Sequence, residues 1–141
     1  MLRQLLTCIF LTTITPNAFV SAETAPGKNQ ALHFDQTQTS FDNFHFNQDN
    51  PLIPKPSDFT LVNSAFLSND RGERFALITL ENTASGSRIL HDKHIVATFV
   101  NGDQRFAKSI SERVASGERI TLTISFGFSK FPLAQLALAP R

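Results

Sequence analysis

Tryptophan and tyrosine are absent from this chain of 141 residues, and cysteine occurs once, as Cys8. Cys8 lies in a leader-like N-terminal stretch, so the remaining chain has no disulfide, thiolate metal ligand or cysteine nucleophile. Many small exported domains depend on disulfides; this one has to rely on its core. Phenylalanine carries the whole aromatic load with 14 residues. Long apolar runs are missing too. The longest, Leu5 to Ile14, is well short of the roughly 20 residues that span a bilayer, so no stable membrane insertion is expected. A strong charge of either sign is also lacking. The net charge is +1 with both signs scattered, which argues against a nucleic-acid binder, whose Lys and Arg gather on one face.

The first residues read as an address. Arg3 supplies a short positive region, Leu5 to Ile14 an apolar one, and Val20-Ser21-Ala22 the small residues that signal peptidase requires. Residues 1–22 are therefore expected to be a signal peptide and the rest an exported chain, periplasmic or secreted. Composition changes again near Pro56. Residues 23–56 are rich in Gln, Asn, Asp, Thr and Pro and hold few aliphatic residues, the composition of a flexible or disordered arm. Pro51, Pro54 and Pro56 make its last part a stiff spacer.

Residues 57–141 carry a β pattern. In "ERITLTISFGF", Ile120, Leu122, Ile124, Phe126 and Phe128 alternate with Thr121, Thr123, Ser125 and Gly127, as a half-buried strand requires. The stretches "FTLVNSAFL" and "RFALITLEN" flank a turn cluster, Ser68 to Gly72. "HIVATFVNGDQRFAKSI" predicts two strands joined through Asn101-Gly102, a dipeptide suited to the positive φ values of a type I′ hairpin turn. "FPLAQLAL" predicts a last strand whose Pro132 puts its start at a sheet edge. The sum is about six or seven short strands and no convincing helix, expected to form an all-β fold: a small antiparallel β-sandwich, immunoglobulin-like in general build. A small barrel is the alternative.

The order "ALITLENTASGSR", "IVATFVNGDQRF", "VASGERITLTISFGF" resembles FxLYD-type and related bacterial exported sandwich domains. The matching pieces are Asn82-Thr83, Asn101-Gly102 and Gly117-Glu118, over about residues 75 to 128; the Leu-Tyr-Asp signature itself is absent. The resemblance implies a non-catalytic extracytoplasmic module.

Two stretches invite a functional reading. "HDKH" places His91 and His94 around Asp92 and Lys93. In a strand, residues three apart face opposite ways, but in a turn both imidazoles and the Asp92 carboxylate converge as candidate ligands for Zn²⁺ or Cu²⁺. Lys93 opposes a cation there, and the plain alternative, a solvated polar loop, is preferred. The second stretch is "FDNFHF": Phe41, Phe44 and Phe46 are candidate docking anchors for an envelope or secreted protein partner, or rings that pack on the domain's side. No Gly-x-Ser-x-Gly elbow and no phosphate-cradling loop occurs, and Asp70 and Glu73 share a turn with Arg71 and Arg74. The expectation is a non-enzymatic accessory or interaction module without a cofactor, with a periplasmic metal-binding protein using His91, Asp92 and His94 as the alternative.

Overall fold

A computed structural model describes residues 31–35, 46 and 49–141. The expected signal peptide lies outside these residues. Among the described residues the fold is nearly all β: β1 (His33–Phe34), β2 (Pro56–Ser57), β3 (Phe59–Ser68), β4 (Glu73–Asn82), β5 (Arg88–His91), β6 (Val96–Phe99), β7 (Gln104–Phe106), β8 (Ser111–Val114), β9 (Arg119–Phe128), β10 (Leu133–Ala137) and β11 (Ala139–Pro140). The exception is a single 3-10 turn, Asp92–His94.

One antiparallel sheet has the order β1-β3-β4-β9 and a second the order β10-β6-β7; β5-β8 form an antiparallel pair and β2-β11 a parallel one. This is a small β-sandwich rather than a barrel. Its core draws on both main sheets and on the β5-β8 pair: Ile78, Leu80, Ile124 and Phe126 from the first, Ala97, Phe99 and Leu133 from the second, Leu90 and Val114 from the pair. The long strands β3, β4 and β9 form because their period-2 pattern presents one apolar face to that core. In β4, Ala76, Ile78, Leu80 and Asn82 are buried in alternation. On the opposite face, Thr79 Oγ1 lies 2.9 Å from Thr121 Oγ1 across the strands.

Two local findings revise the strand reading. Ile124 and Phe126 are buried and Ile120 and Leu122 half-buried as the alternation predicts, but Phe128 is 53% exposed. The ladder between β4 and β9 slips between Arg74 and Phe75, leaving Phe126 as an extra residue. Gly127, at φ +80°, makes the accompanying kink. A bulge of this kind shifts the face of every later side chain. The Asn101-Gly102 hairpin is present, but its turn is not type I′. Gly102 has φ +89° and Asn101 is not left-handed. Gly102 N–H donates to the Phe99 carbonyl at 2.8 Å and Phe99 N–H to the Asp103 carbonyl at 2.8 Å. That is the three-residue hairpin loop ending on a left-handed glycine.

The described parts of the arm sit on the domain. His33 and Phe34 pair with Ser68 and Leu67. Leu52 N–H donates to Gln104 Oε1 at 2.6 Å, and Lys55 N–H to the Lys93 carbonyl at 2.8 Å. The boundary drawn at residues 56 and 57 falls inside β2. Pro51, Pro54 and Pro56 lay an extended segment along the domain, as their fixed φ allows.

Candidate functional site: a cationic cavity at the His91–His94 turn

β5 ends at His91 opposite Ser111 of β8, and the chain then needs one tight turn to enter β6. Asp92–His94 supply it as a 3-10 turn closed by Ile95 N–H donating to the Asp92 carbonyl at 3.3 Å. With three residues per turn, positions three apart stack, so His91 and His94 come together with ring centroids 5.6 Å apart. His91 N–H donates to His94 Nδ1 at 3.2 Å. Nδ1 is then the acceptor nitrogen, and in the neutral ring the proton sits on Nε2. His94 is buried against Phe59, at 6.1 Å between rings. Its burial holds its pKa below the usual histidine value, and the positive neighbours His91, Lys55 and Arg141 push the same way against Asp92.

As a metal site the turn offers two imidazoles, one with Nδ1 already accepting a backbone proton. Asp92 Oδ1 accepts from Lys93 N–H at 2.9 Å. Among the described residues, no group of three or more His, Cys, Asp or Glu side chains is placed to hold a metal ion.

Beside the turn lies a cavity of about 300 Å³ that both histidines line and Asp92 does not. Three permanent cations border it: Lys55, Arg88 and Arg141. Asp58 is the carboxylate among the lining residues, accepting from Arg88 Nε at 2.6 Å and from Arg141 Nη1 at 3.5 Å. The hydrogen bond from Arg88 holds the Asp58 carboxyl below the usual carboxylate range, Arg141 adds to that, and burial opposes it. Ser57 also lines the cavity; it is buried, and its Oγ has no hydrogen-bond partner. Apolar wall comes from Pro56, Phe59 and Ile89.

Backbone pairing assembles these residues. β2 lies parallel to β11, with Arg141 N–H donating to the Ser57 carbonyl at 3.0 Å. The Lys55–Lys93 bond docks the chain before β2 onto the 3-10 turn. Of the cavity's residues, sequence reasoning found His91 and His94 but missed Lys55, Ser57, Asp58, Arg88 and Arg141. These are drawn from three distant stretches, and no local spacing marks them.

The docking candidates divide. Phe41 and Phe44 lie outside the described residues. Phe46 is half-buried, its Cδ1 3.7 Å from where a Cβ on Gly102 would stand, so it packs on the β6–β7 turn. The carboxylates of the Ser68–Gly72 region have separate partners: Glu73 Oε2 accepts from Asn69 Nδ2 at 2.7 Å, and Asp70 lies 3.6 Å from His33.

A second surface feature is the outer edge of β3. Among the described residues it is paired only at its far end, where His33 and Phe34 join and Asp35 N–H donates to the Phe66 carbonyl. Thr60, Val62, Asn63 and Ser64 are exposed, with Val62 at 46% pushed out by a bulge between Leu61 and Asn63. A groove of about 470 Å³ runs between this edge and β10, lined in part by Leu61, Leu136 and Leu138.

Comparison with protein families, with curated proteins and with solved structures finds no match for this chain.

Proposed function

We propose that this protein is an exported, non-enzymatic β-sandwich that acts as an interaction module, taking an extended segment of an envelope or secreted protein as an added strand on β3. The observation that carries the reading is the β3 edge, exposed and without a strand partner among the described residues from Thr60 to Ser64, beside a groove lined in part by leucines. An exposed edge is a ready template for main-chain pairing. An adjoining groove then selects alternate side chains of the added strand. Natural edges are commonly blunted by charge, yet residues 59 to 68 contain no charged residue. Export rests on the leader-like residues 1–22, and the turn order that resembles FxLYD-type exported domains agrees with a non-catalytic role and an immunoglobulin-like build.

The test is capture from the native envelope by the mature protein, with amide exchange measured on the complex. A partner is expected to be lost with Val62→Lys or Thr60→Pro, to be kept with the control Glu112→Lys on β8, and to protect the amides of residues 60–65. Capture unaffected by either edge substitution would overturn the proposal.

The metal-binding reading has one observation behind it, the 5.6 Å approach of the His91 and His94 rings. Titration with Zn²⁺ and Cu²⁺ decides it: affinity of about 1 µM or tighter that disappears in His91→Ala would make the turn a metal site.

A further inference from the structure

The cavity beside the 3-10 turn gathers more positive charge than its own residues neutralise. Among side chains, Lys55, Arg88 and Arg141 face one carboxylate, Asp58, an excess of two positive charges counting neither histidine, which the α-carboxylate of a chain ending at Arg141 would reduce to one. Like charges brought together at a partly desolvated wall repel one another, and the arrangement is relieved when an anion enters. Lys55 and Arg141 also disfavour the protonated form of His94, after burial and His91 and against Asp92.

The second observation is Ser57. Its side chain is buried and its Oγ has no partner, whereas buried hydroxyls in folded proteins are nearly always hydrogen-bonded. The Oγ itself exposes almost no surface, so it meets an oxygen arriving in the cavity only if its χ1 rotates to turn the hydroxyl inward. Third, Arg141 commits only Nη1 to Asp58, which leaves its Nε and Nη2 as a fork of the geometry that grips a carboxylate. Arg88 is more fully used, with Nε on Asp58 and Nη1 on the Ser87 carbonyl at 3.2 Å.

The wall sets the rest of the ligand. Pro56, Phe59 and Ile89 offer apolar surface, which a bare hydrated anion cannot use. Asp58 repels a second negative charge on the same ligand, so a monoanion is favoured over a phosphate dianion. A volume of about 300 Å³ lies at the small end of the range for ligand pockets. We infer that this cavity is a binding site for a small monocarboxylate with an apolar body, its carboxylate held by Arg141, Lys55 and Ser57 and its body against Phe59 and Ile89.

The site is independent of the β3 edge and is tested on the full mature chain. Benzoate, acetate and inorganic phosphate are titrated separately while amide chemical shifts are followed. Benzoate is expected to give saturable shifts at Lys55, Ser57, Ile89 and Arg141 with a Kd of about 1 mM or tighter. Acetate, lacking the body, is expected to bind at least about tenfold more weakly, the loss expected from a few buried methylene equivalents. Arg141→Gln and Lys55→Gln, both at exposed positions, are each expected to weaken benzoate about tenfold, as loss of a charge-assisted contact does, with melting unchanged. Ser57→Ala is expected to weaken benzoate while leaving the unliganded protein at least as stable, because it removes a buried hydroxyl that nothing satisfies. Absence of saturable shifts with benzoate, phosphate binding as tightly as benzoate, or benzoate affinity indifferent to both Arg141→Gln and Lys55→Gln would each overturn the inference.

Discussion

Asn82 Nδ2 lies 3.0 Å from the carbonyl oxygen of Val114, a bond inside the protein that fastens the end of β4 to the end of β8. The same amide also donates to the Gly86 and Ala115 carbonyls, each at 2.9 Å, and Asn82 Oδ1 accepts from Ala84 N–H at 3.0 Å. The Asn82 backbone is used as well: its N–H donates to the Glu118 carbonyl and its carbonyl accepts from Gly117 N–H. A fully buried polar side chain is tolerable because its hydrogen-bonding capacity is met.

Asn82→Asp replaces the amide donor by a buried carboxylate facing three carbonyl oxygens. It is expected to cost about 3–5 kcal/mol, or to raise the aspartate pKa until it is neutral. Denaturant unfolding at pH 7 measures it. A loss below about 1 kcal/mol would mean the carbonyls find water instead.

In the core, Leu80 is completely buried, whereas Leu122 on the neighbouring strand is only half-buried. Leu80→Ala should therefore cost about 2–5 kcal/mol and Leu122→Ala clearly less. Thermal melting of the two variants side by side checks this, and a larger loss for Leu122→Ala would contradict the burial order.

Gly127 carries both a φ of +80° and a close neighbour, since a Cβ there would stand 2.5 Å from Lys108 Nζ. Lys108 presents a flexible end that can move aside, but the backbone conformation cannot. Gly127→Ala is expected to lose about 1–2 kcal/mol from left-handed strain, and pairing it with Lys108→Ala should recover little of that. Full recovery in the double variant would place the cost in the side-chain clash.

Stability should fall in acid in two separate windows. His94 is held below the usual histidine value of 6.5 in the folded protein, so the unfolded chain takes up its proton first. Its contribution is complete above pH 6.5 and is lost as pH drops below that toward the depressed folded value. Asp58, held below the usual 3.8, contributes above pH 3.8 and loses that contribution as pH falls through and below it. The melting midpoint is expected to decline between pH 7 and 5, and His94→Gln to flatten that decline. A wild-type midpoint constant over this range would show that His94 does not contribute.

How far the sequence could be read depends on the length and composition of each strand. β3, β4 and β9 were legible because ten-residue strands leave a long alternation, and Gly and Asn punctuate their ends. β5 and β8 were not. In Arg88–His91 only Leu90 is buried, and in Ser111–Val114 only Val114. A four-residue strand with one inward side chain has no period to detect. Phe128 misled because a bulge changes facing without changing the residue pattern. At the site, convergence of His91 and His94 was legible from a short turn before a strand. Lys55 and Arg141 meet through the parallel β2-β11 pairing and Arg88 joins them from β5 through Asp58, none of which leaves a mark in local spacing.

That parallel pairing also fixes how the protein answers force. Ala139 pairs with Pro56 and Pro140 with Ser57, so the chain enters β2 at one end of the pair and leaves β11 at the other. Tension between Lys55 and residue 141 therefore runs along the two strands in opposite directions and loads their hydrogen bonds in shear, all at once. An antiparallel hairpin pulled at its open end gives way bond by bond. The patch has few bonds, because Pro56 and Pro140 lack N–H groups, yet it has to break before tension reaches the first main sheet through β3. Extension from these two points would thus begin with a small mechanical clamp, and the same rupture would open the cavity that Ser57 and Arg141 share.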